Sequence, residues 1–335
     1  MAELDKGLTV EYDPKKANYL TKIVLDEEGL NTITETSCVS RLKSIKNSVE
    51  IEGIRNSHIR DGAAKTIFLA KLERMMHQDE KVSEIDASNL LEAERRKQEH
   101  FFSLSFPTIS STGGNASIIH YEPTPDNFSM IDKSKIYLVD SGAQYFDGTT
   151  DVTRTIHFSN PTQEEIDSFT KVLKGHINLA CAKFPSGTKG DHIDSLARKF
   201  LWEDGKDYCH GTGHGVGHFL NVHESPPGIS KGPRGKIYPG MLMSNEPGYY
   251  KDGEYGTRIE SLIVSKEFKD GYCEFETVTL VPLQKKMINR DLLTPQEIEW
   301  INDYHQLCYD KLLPFIEECK DEYISKWFAD SCSKF

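Results

Sequence analysis

Four carboxylates stand at the ends of apolar, β-rich runs, two in each of two similar stretches. Asp140 closes the run that begins at Ile136, and Asp151 opens the run that ends at Phe158, with a polar tip around Gly148 between them. Glu246 closes the run from Gly240, and Glu260 lies in the return run from Tyr255 to Val264, again across a glycine-containing tip. Both stretches read as hairpins. A carboxylate at the inner end of an apolar strand is costly unless something pairs with it. Two of them brought together repel until one holds a proton, and a bound divalent cation removes both penalties. Each acid taken alone is better read as an ordinary solvated strand end. Four together, in two hairpins of like design, favour a shared cation site. Their four negative charges match two divalent ions, and a pair of ions roughly 3.5–4 Å apart can share a hydroxide and clamp a hydrolytic transition state. Carboxylate and imidazole ligands suit Mn²⁺ or Zn²⁺ better than soft copper.

Between the hairpins His210, His214 and His218 alternate with Gly211, Gly213, Gly215 and Gly217. His210 and His214 have the spacing of two ligands on a helix face. Each glycine, however, costs a helix roughly 0.8–1 kcal/mol relative to alanine, so an extended, close-packed segment is the better reading. There the period of two places His210 and His214 on one face, one toward a metal and the other toward a substrate. His218 reads as a histidine without a role. His120, in the run Ile118–Pro123, and His223, ahead of Glu224, would each more often be structural if taken alone. Arg258, two before Glu260, shares its face on a strand and is placed to orient a metal carboxylate.

The elements that must position these groups repeat. A helical stretch from Arg41 to Met76, interrupted at Gly53, precedes a helix from Ser83 to Lys97 opened by a capping-box pattern. Strands are expected over Phe101–Phe106 and Ala116–Tyr121, followed by the first hairpin. Thr162 and Glu165 form the next capping box, opening a helix with Ile166, Phe169, Leu173 and Ile177 on one face. Pro185 to Gly187 ends it, and a second helix spans Asp191–Trp202. The glycine-histidine segment and the second hairpin follow. Helix, helix, strands and acidic hairpin thus occur twice, the pattern of two pseudo-equivalent halves sharing one site. Thr294 and Glu297 cap a C-terminal amphipathic helix with Pro295 at its first position. Residues 1–38 read as a linker or the remnant of a preceding domain, with a strand or short helix at Tyr19–Leu25. Residues 39–290 read as the catalytic domain and residues 291–335 as a helical extension.

The 335 residues, 37% hydrophobic and 27% charged, are enough for a sizeable core. A net charge of −12 argues against nucleic-acid or anionic-membrane binding driven by bulk charge. No run approaches a membrane span and no signal-peptide pattern opens the chain. Seven cysteines without CxxC spacing read as reduced thiols of a cytoplasmic protein. Cys209, beside His210, reads as a plain buried thiol.

Taken together, Asp140 to Tyr145, Asp147 to Thr155, His210 to Gly217, Asn221 to Glu224, Asn245 to Tyr250 and Arg258 to Glu260 resemble the motifs of the Xaa-Pro aminopeptidases. These are pita-bread metallopeptidases of the methionine aminopeptidase–prolidase superfamily. The resemblance runs from about Ser40 to the C-terminus. It implies an α+β pita-bread fold, two pseudo-symmetric halves with a curved, mainly antiparallel sheet covered by helices. It implies Asp140, Asp151, His214, Glu246 and Glu260 as ligands of two divalent cations, Mn²⁺ first, with Zn²⁺ or Co²⁺ as alternatives. It implies His120, His210 and His223 around the substrate, and a homodimer. Relatives of this type carry two further domains ahead of the catalytic one. The expected reaction removes the first residue from peptides with proline second. Glu246 would move the proton, His223 and His120 would stabilise the oxyanion or orient the peptide, and His210 and Arg258 would help bind it. The alternatives are a prolidase acting on dipeptides only, a methionine aminopeptidase, and a metal-free binding protein on the same fold.

Overall fold

A computed structural model describes residues 5, 7–232 and 234–335. Residues 1–4 and 6 of the expected N-terminal linker lie outside the described residues. The rest of that linker does form a unit. Strands β1 (Thr9–Tyr12) and β2 (Asn31–Thr34) pair in parallel, joined by helix α1 (Tyr19–Glu27). Asn18 caps α1 through a side-chain bond from the Thr21 N–H, which decides between the strand and the helix readings of Tyr19–Leu25.

The first half of the main body begins with α2 (Cys38–Ser44) and α3 (Ser48–His77). The break falls between them, where Asn47 and Glu50 form a capping box, and not at Gly53. Gly53 lies within α3, and close packing accounts for the glycine: a Cβ there would sit 2.4 Å from the carbonyl oxygen of Asp147. Helix α4 (Glu84–Arg95) starts at the expected Ser83 capping box. Strand β3 (Phe101–Leu104) follows. The next strand, β4, is Ile109–Thr112, whereas Ala116–Tyr121 is a 3-10 turn and loop. Ile109 to Thr112 are all buried beside β5, so packing makes a strand of a segment whose Ser110, Ser111 and Thr112 are small and polar. The acidic hairpin consists of β5 (Ile136–Ser141) and β8 (Val152–His157), with the short β6 (Ala143–Tyr145) and β7 (Gly148–Thr149) forming its tip.

The second half repeats this plan. Helix α5 (Gln163–Ala180) carries its capping box at Thr162 and buries Phe169, Leu173 and Ile177. A short strand, β9 (Lys183–Pro185), and a 3-10 turn at Gly190–His192 come before α6 (Asp194–Trp202), which therefore starts later than expected. Strands β10 (Gly213–Gly215) and β11 (Glu224–Ile229) lead to the second hairpin. That hairpin is β12 (Leu242–Asn245) against β15 (Ser261–Lys269), with β13 (Gly248–Lys251) and β14 (Tyr255–Arg258) as its tip. Strand β16 (Tyr272–Thr277) completes the sheet in the order β11-β10-β12-β15-β16-β9, opposite the β4-β5-β8 sheet of the first half. β10 lies beside β12 as β4 lies beside β5.

Helices α7 (Pro295–Glu318) and α8 (Glu322–Cys332) close the chain. Ile301, Tyr304, Cys308, Leu312 and Phe328 share one core cluster with Ala63 and Ile67 of α3, Leu138 of β5 and Phe169 of α5. Arg95 and Asp61 lock α4 to α3 in a buried bidentate pair at 2.8 and 2.9 Å, and Arg95 also donates to the Ser141 carbonyl. Cys209 is exposed, contrary to the expectation of a buried thiol. Among the described residues no helix is long and apolar enough to cross a membrane.

Replacing Gly53 with alanine tests this packing. Helix propensity alone favours alanine by about 1 kcal/mol, but the clash with Asp147 must be relieved, and overpacking of this kind costs about 1–3 kcal/mol. The expected net effect is a lower urea midpoint for Gly53→Ala; an equal or higher midpoint would contradict the packing described.

Candidate metal centre

The two hairpins meet edge to edge, and the acids lie at the seam. The Glu260 N–H donates to the Thr153 carbonyl at 3.2 Å, and Thr155 Oγ1 exchanges hydrogen bonds with the Arg258 backbone at 2.8 and 3.0 Å. Asp151 directly precedes Val152, which pairs with Ser141; Glu260 directly precedes Ser261, which pairs with Asn245. These two acids therefore occupy equivalent places in the two halves. Asp140 sits one residue before Ser141 and Glu246 one residue after Asn245, so the other two acids are not equivalent.

Each carboxylate has its own surroundings. Asp140 Oδ2 accepts from Arg258 Nη2 at 2.8 Å, while its Oδ1 is buried with no hydrogen-bond partner. Beneath it Lys65, fully buried, donates to the Val139 carbonyl at 3.0 Å, to Ser141 Oγ at 3.1 Å and to the Val152 carbonyl. Glu260 Oε2 accepts from Thr153 Oγ1 at 2.8 Å. Glu246 Oε1 accepts from Ser244 Oγ at 3.1 Å, and its N–H donates to the Thr212 carbonyl at 2.8 Å. Asp151 Oδ2 lies 3.4 Å from His214 Nε2, and Glu246 Oε1 lies 3.5 Å from the same nitrogen.

His214 is held on β10, which slots between β11 and β12 because glycines flank it. A Cβ on Gly213 would lie 2.0 Å from the Ser244 carbonyl, and one on Gly215 would lie 2.2 Å from the Glu224 carbonyl. The Nδ1–H of His214 donates to the Gly215 carbonyl at 3.0 Å. That bond fixes the tautomer and leaves Nε2, the atom facing the acids, with a free lone pair. Only Gly213–Gly215 is strand, so His210 lies outside it. It still faces the same acids, its Nδ1 being 3.9 Å from Glu246 Oε2. Both its ring nitrogens are engaged: Nδ1–H donates to the Gly211 carbonyl at 2.7 Å, and Nε2 accepts from Tyr250 Oη at 2.8 Å. Tyr250 Oη in turn accepts from Arg258 Nη1 at 2.7 Å.

Asp140, Asp151, His214, Glu246, Glu260, Arg258, His120, His210 and His223 all line one cavity of about 850 Å³. His223 is exposed, with its ring 4.3 Å from that of His214 and nearly perpendicular to it. His120 is exposed at the rim. His218 does not line this cavity; its carbonyl accepts from Thr149 Oγ1 at 3.3 Å. Sequence reasoning missed Thr153, Ser244 and Tyr250. For Thr153 a signal existed, since it lies two residues from Asp151 and so on the same strand face. Tyr250 had no such signal, because its role comes from meeting His210 and Arg258 in space.

The electrostatics follow from crowding. Burial opposes ionisation of Asp140, but Arg258 and Lys65 outweigh it and hold its carboxyl below the usual range. Burial, then Asp140 and Glu246, push Asp151 well above that range. Burial, then Asp151 and Asp140, do the same to Glu260. The donors present fit divalent cations. Ligand atoms of Asp151, His214 and Glu260 lie within 4.8 Å of one another, the unpartnered Asp140 Oδ1 faces no donor, and all are hard or borderline O and N atoms.

Residues 52–267 match the model of metallopeptidase family M24, and residues 271–335 match the model of that family's C-terminal region. The chain belongs to metallopeptidase family M24, and its architecture is the pita-bread fold of that family. It is 52% identical over 296 residues to a probable Xaa-Pro aminopeptidase P of Coprinopsis cinerea, covering 85% of this chain and 47% of that protein. Among solved structures it resembles an X-prolyl aminopeptidase of Caenorhabditis elegans, described as a cytosolic enzyme with a di-nuclear active site. There the TM-score is 0.92 at 39% identity, over 98% of this chain and 54% of that one. A Xaa-Pro dipeptidase of Bacillus anthracis superposes with a TM-score of 0.66 at 27% identity, over 82% of this chain and 73% of that one. The chain spans about half the length of the curated relatives it matches.

The raised carboxyls predict a pH signature. Between the ordinary carboxylate range and their raised values, the native metal-free state binds more protons than the unfolded chain, so stability falls as pH rises through that window. Asp140 works the other way and costs stability only as pH falls below its ordinary range. Burial depresses His58, His157, His176, His210, His223 and His305, and these groups raise stability with pH up to the imidazole range. The two acids are therefore read by difference. In chelator-treated protein the urea midpoint of Asp151→Asn should gain on that of the unsubstituted chain as pH rises above the ordinary carboxylate range. A saturating divalent cation should flatten or reverse that trend. A difference that stays constant or shrinks as pH rises in the metal-free protein contradicts the protonation scheme.

Proposed function

We propose that this chain is the catalytic part of a dinuclear metallo-aminopeptidase that removes the N-terminal residue from peptides with proline in second position. The observation that carries the reading is the convergence of Asp140, Asp151, His214, Glu246 and Glu260 on one cavity, with Asp140 Oδ1 buried and unpartnered. The names of the relatives support the substrate class. We assign residues 39–290 as the catalytic unit, residues 1–38 as a linker and residues 291–335 as the C-terminal extension.

In this reading the five side chains hold two divalent cations, Mn²⁺ first and Zn²⁺ or Co²⁺ as alternatives. When bound, the pair would acidify a water and polarise the scissile carbonyl. Glu246, with 18% of its side chain accessible against 5% for Asp151 and 12% for Asp140, takes the proton of the attacking water and passes it to the proline nitrogen. Ser244 and the Thr212 carbonyl keep it in place for both transfers. His223 and His120, on the solvent side, donate to the developing oxyanion or orient the peptide. His210, its nitrogens engaged, offers its ring edge to the substrate. Arg258 acts on the substrate through Asp140, whose carboxylate it orients. Proline lacks an N–H, so the wall that receives it needs apolar surface and no acceptor; Phe106, Pro107 and Ile119 supply such surface in the cavity. We place the protein in the cytoplasm on the description of the nematode relative and on seven free cysteines, and propose a homodimer on the family resemblance.

Incubation with a tripeptide such as Arg-Pro-Pro and with an Xaa-Pro dipeptide, with and without Mn²⁺, tests the reading. Mn²⁺-dependent release of arginine from the tripeptide is expected; cleavage of the dipeptide alone would make the chain a prolidase, and no cleavage of either would overturn the assignment. Glu246→Gln should lower kcat by about 10²–10⁴-fold.

A further inference from the structure

We propose that Glu84, outside the cavity, is a positioning residue that sets the place of His120 through Tyr121. The inference rests on the cavity being the peptidase site. Glu84 is the first residue of α4 and fully buried. No lysine, arginine or histidine pairs with it among the described residues. Its carboxylate gathers neutral donors. Oε1 accepts from the Thr112 N–H at 2.8 Å and from Asn115 Nδ2 at 3.0 Å. Oε2 accepts from Tyr121 Oη at 2.8 Å and from the Ser129 N–H at 2.7 Å. The Glu84 N–H completes the set by donating to the Ser129 carbonyl at 3.0 Å.

These donors come from both ends and the middle of one loop. Thr112 ends β4, Ser129 closes the far side, and Tyr121 stands between them. The same loop brings Ile119, His120, Tyr121 and Glu122 to the cavity. His120 is exposed and makes no hydrogen bond of its own among the described residues. Its place is therefore set by its backbone, and the next residue, Tyr121, is 4% exposed and tied to Glu84. A carboxylate suits the task because it offers about four acceptor positions and no donor. A glutamine would turn its NH₂ toward either the Thr112 N–H or the Ser129 N–H, each of which can only donate. A helix N-terminus also favours a negative charge, which here has no cation beside it. None of the five side chains of the metal centre hydrogen-bonds to this cluster, although β4, which Thr112 ends, pairs with the strand that carries Asp140.

Three variants test the inference. Tyr121→Phe removes one hydroxyl and leaves Glu84 its other donors; Glu84→Gln disturbs the whole cluster; His120→Gln removes the group they are said to place. Tyr121→Phe should lower kcat about tenfold or more, with KM within about twofold and Mn²⁺ affinity, read by calorimetry, unchanged. Added to His120→Gln it should cost nothing further, because its effect runs through the missing ring. Additive losses, an unchanged kcat, or a parallel loss of Mn²⁺ affinity would each overturn the proposal. Hydrogen exchange separates this outcome from failure of the peptidase reading. In Glu84→Gln the amides of residues 113–128 should exchange at least about tenfold faster whether or not the protein cleaves any peptide, and unchanged exchange there overturns the positioning role even in an active enzyme.

Discussion

Mutual repulsion among carboxylates governs this structure. Asp140, Asp151, Glu246 and Glu260 line one cavity, and all but Glu246 are buried. Two unit charges 4 Å apart repel by about 4 kcal/mol at an effective dielectric near 20, so four acids this close cannot all stay ionised and unpaired. Among the described residues Arg258 hydrogen-bonds to Asp140, and Lys65 acts on the same acid through its charge. The remaining charge calls for protons or for metal. Everything around the acids works to hold them in place despite the repulsion: Thr153 on Glu260, Ser244 on Glu246, and Lys65 beneath the strands that carry Asp140 and Asp151.

The two halves share one plan, and the departures from it divide the labour. Asp151 and Glu260 stand at matching places, each just before the first paired residue of a return strand. Asp140 and Glu246 are offset from each other by the register. One consequence is that Asp140 points back into the protein, where a buried guanidinium meets it. The other is that Glu246 reaches toward the open side, near His210 and His214. A static acid and a more accessible one thus arise from hairpins of one design. The seam is closed from behind as well. Arg154 donates to the carbonyls of Thr153 and Glu260 at 2.8 and 2.6 Å and to Tyr304 Oη at 2.7 Å, so a C-terminal helix braces the strand ends that carry the acids.

The rim is built differently from the centre. His120 and His223 stand on loops, yet residues beside each are anchored by buried acids. Tyr121 is bound to Glu84, and Glu224 pairs with Lys46 at 2.8 Å. Loops placed this way can present groups to the cavity without the stiffness of a sheet.

Much of this was legible in the residues themselves. Apolar runs broken by glycine-bearing tips force hairpins, and capping boxes mark helix starts at Ser83, Thr162 and Thr294 wherever the chain folds. The glycines around His214 excluded a helix before any neighbour was known. These are local rules, decided by one residue and the few beside it. Where tertiary packing overrides local preference, sequence reading failed. Gly53 sits inside a helix because its missing Cβ lets the Asp147 carbonyl pack there, and Ile109–Thr112 became a strand because β5 lay alongside. The tertiary structure alone decided which groups meet: that Arg258 belongs to Asp140 rather than to its neighbour Glu260, that Tyr250 links it to His210, and that Cys209 faces solvent. Hydrogen bonds and charges act over a few ångströms of space, and separation along the chain carries no information about that distance once strands from two halves are brought together.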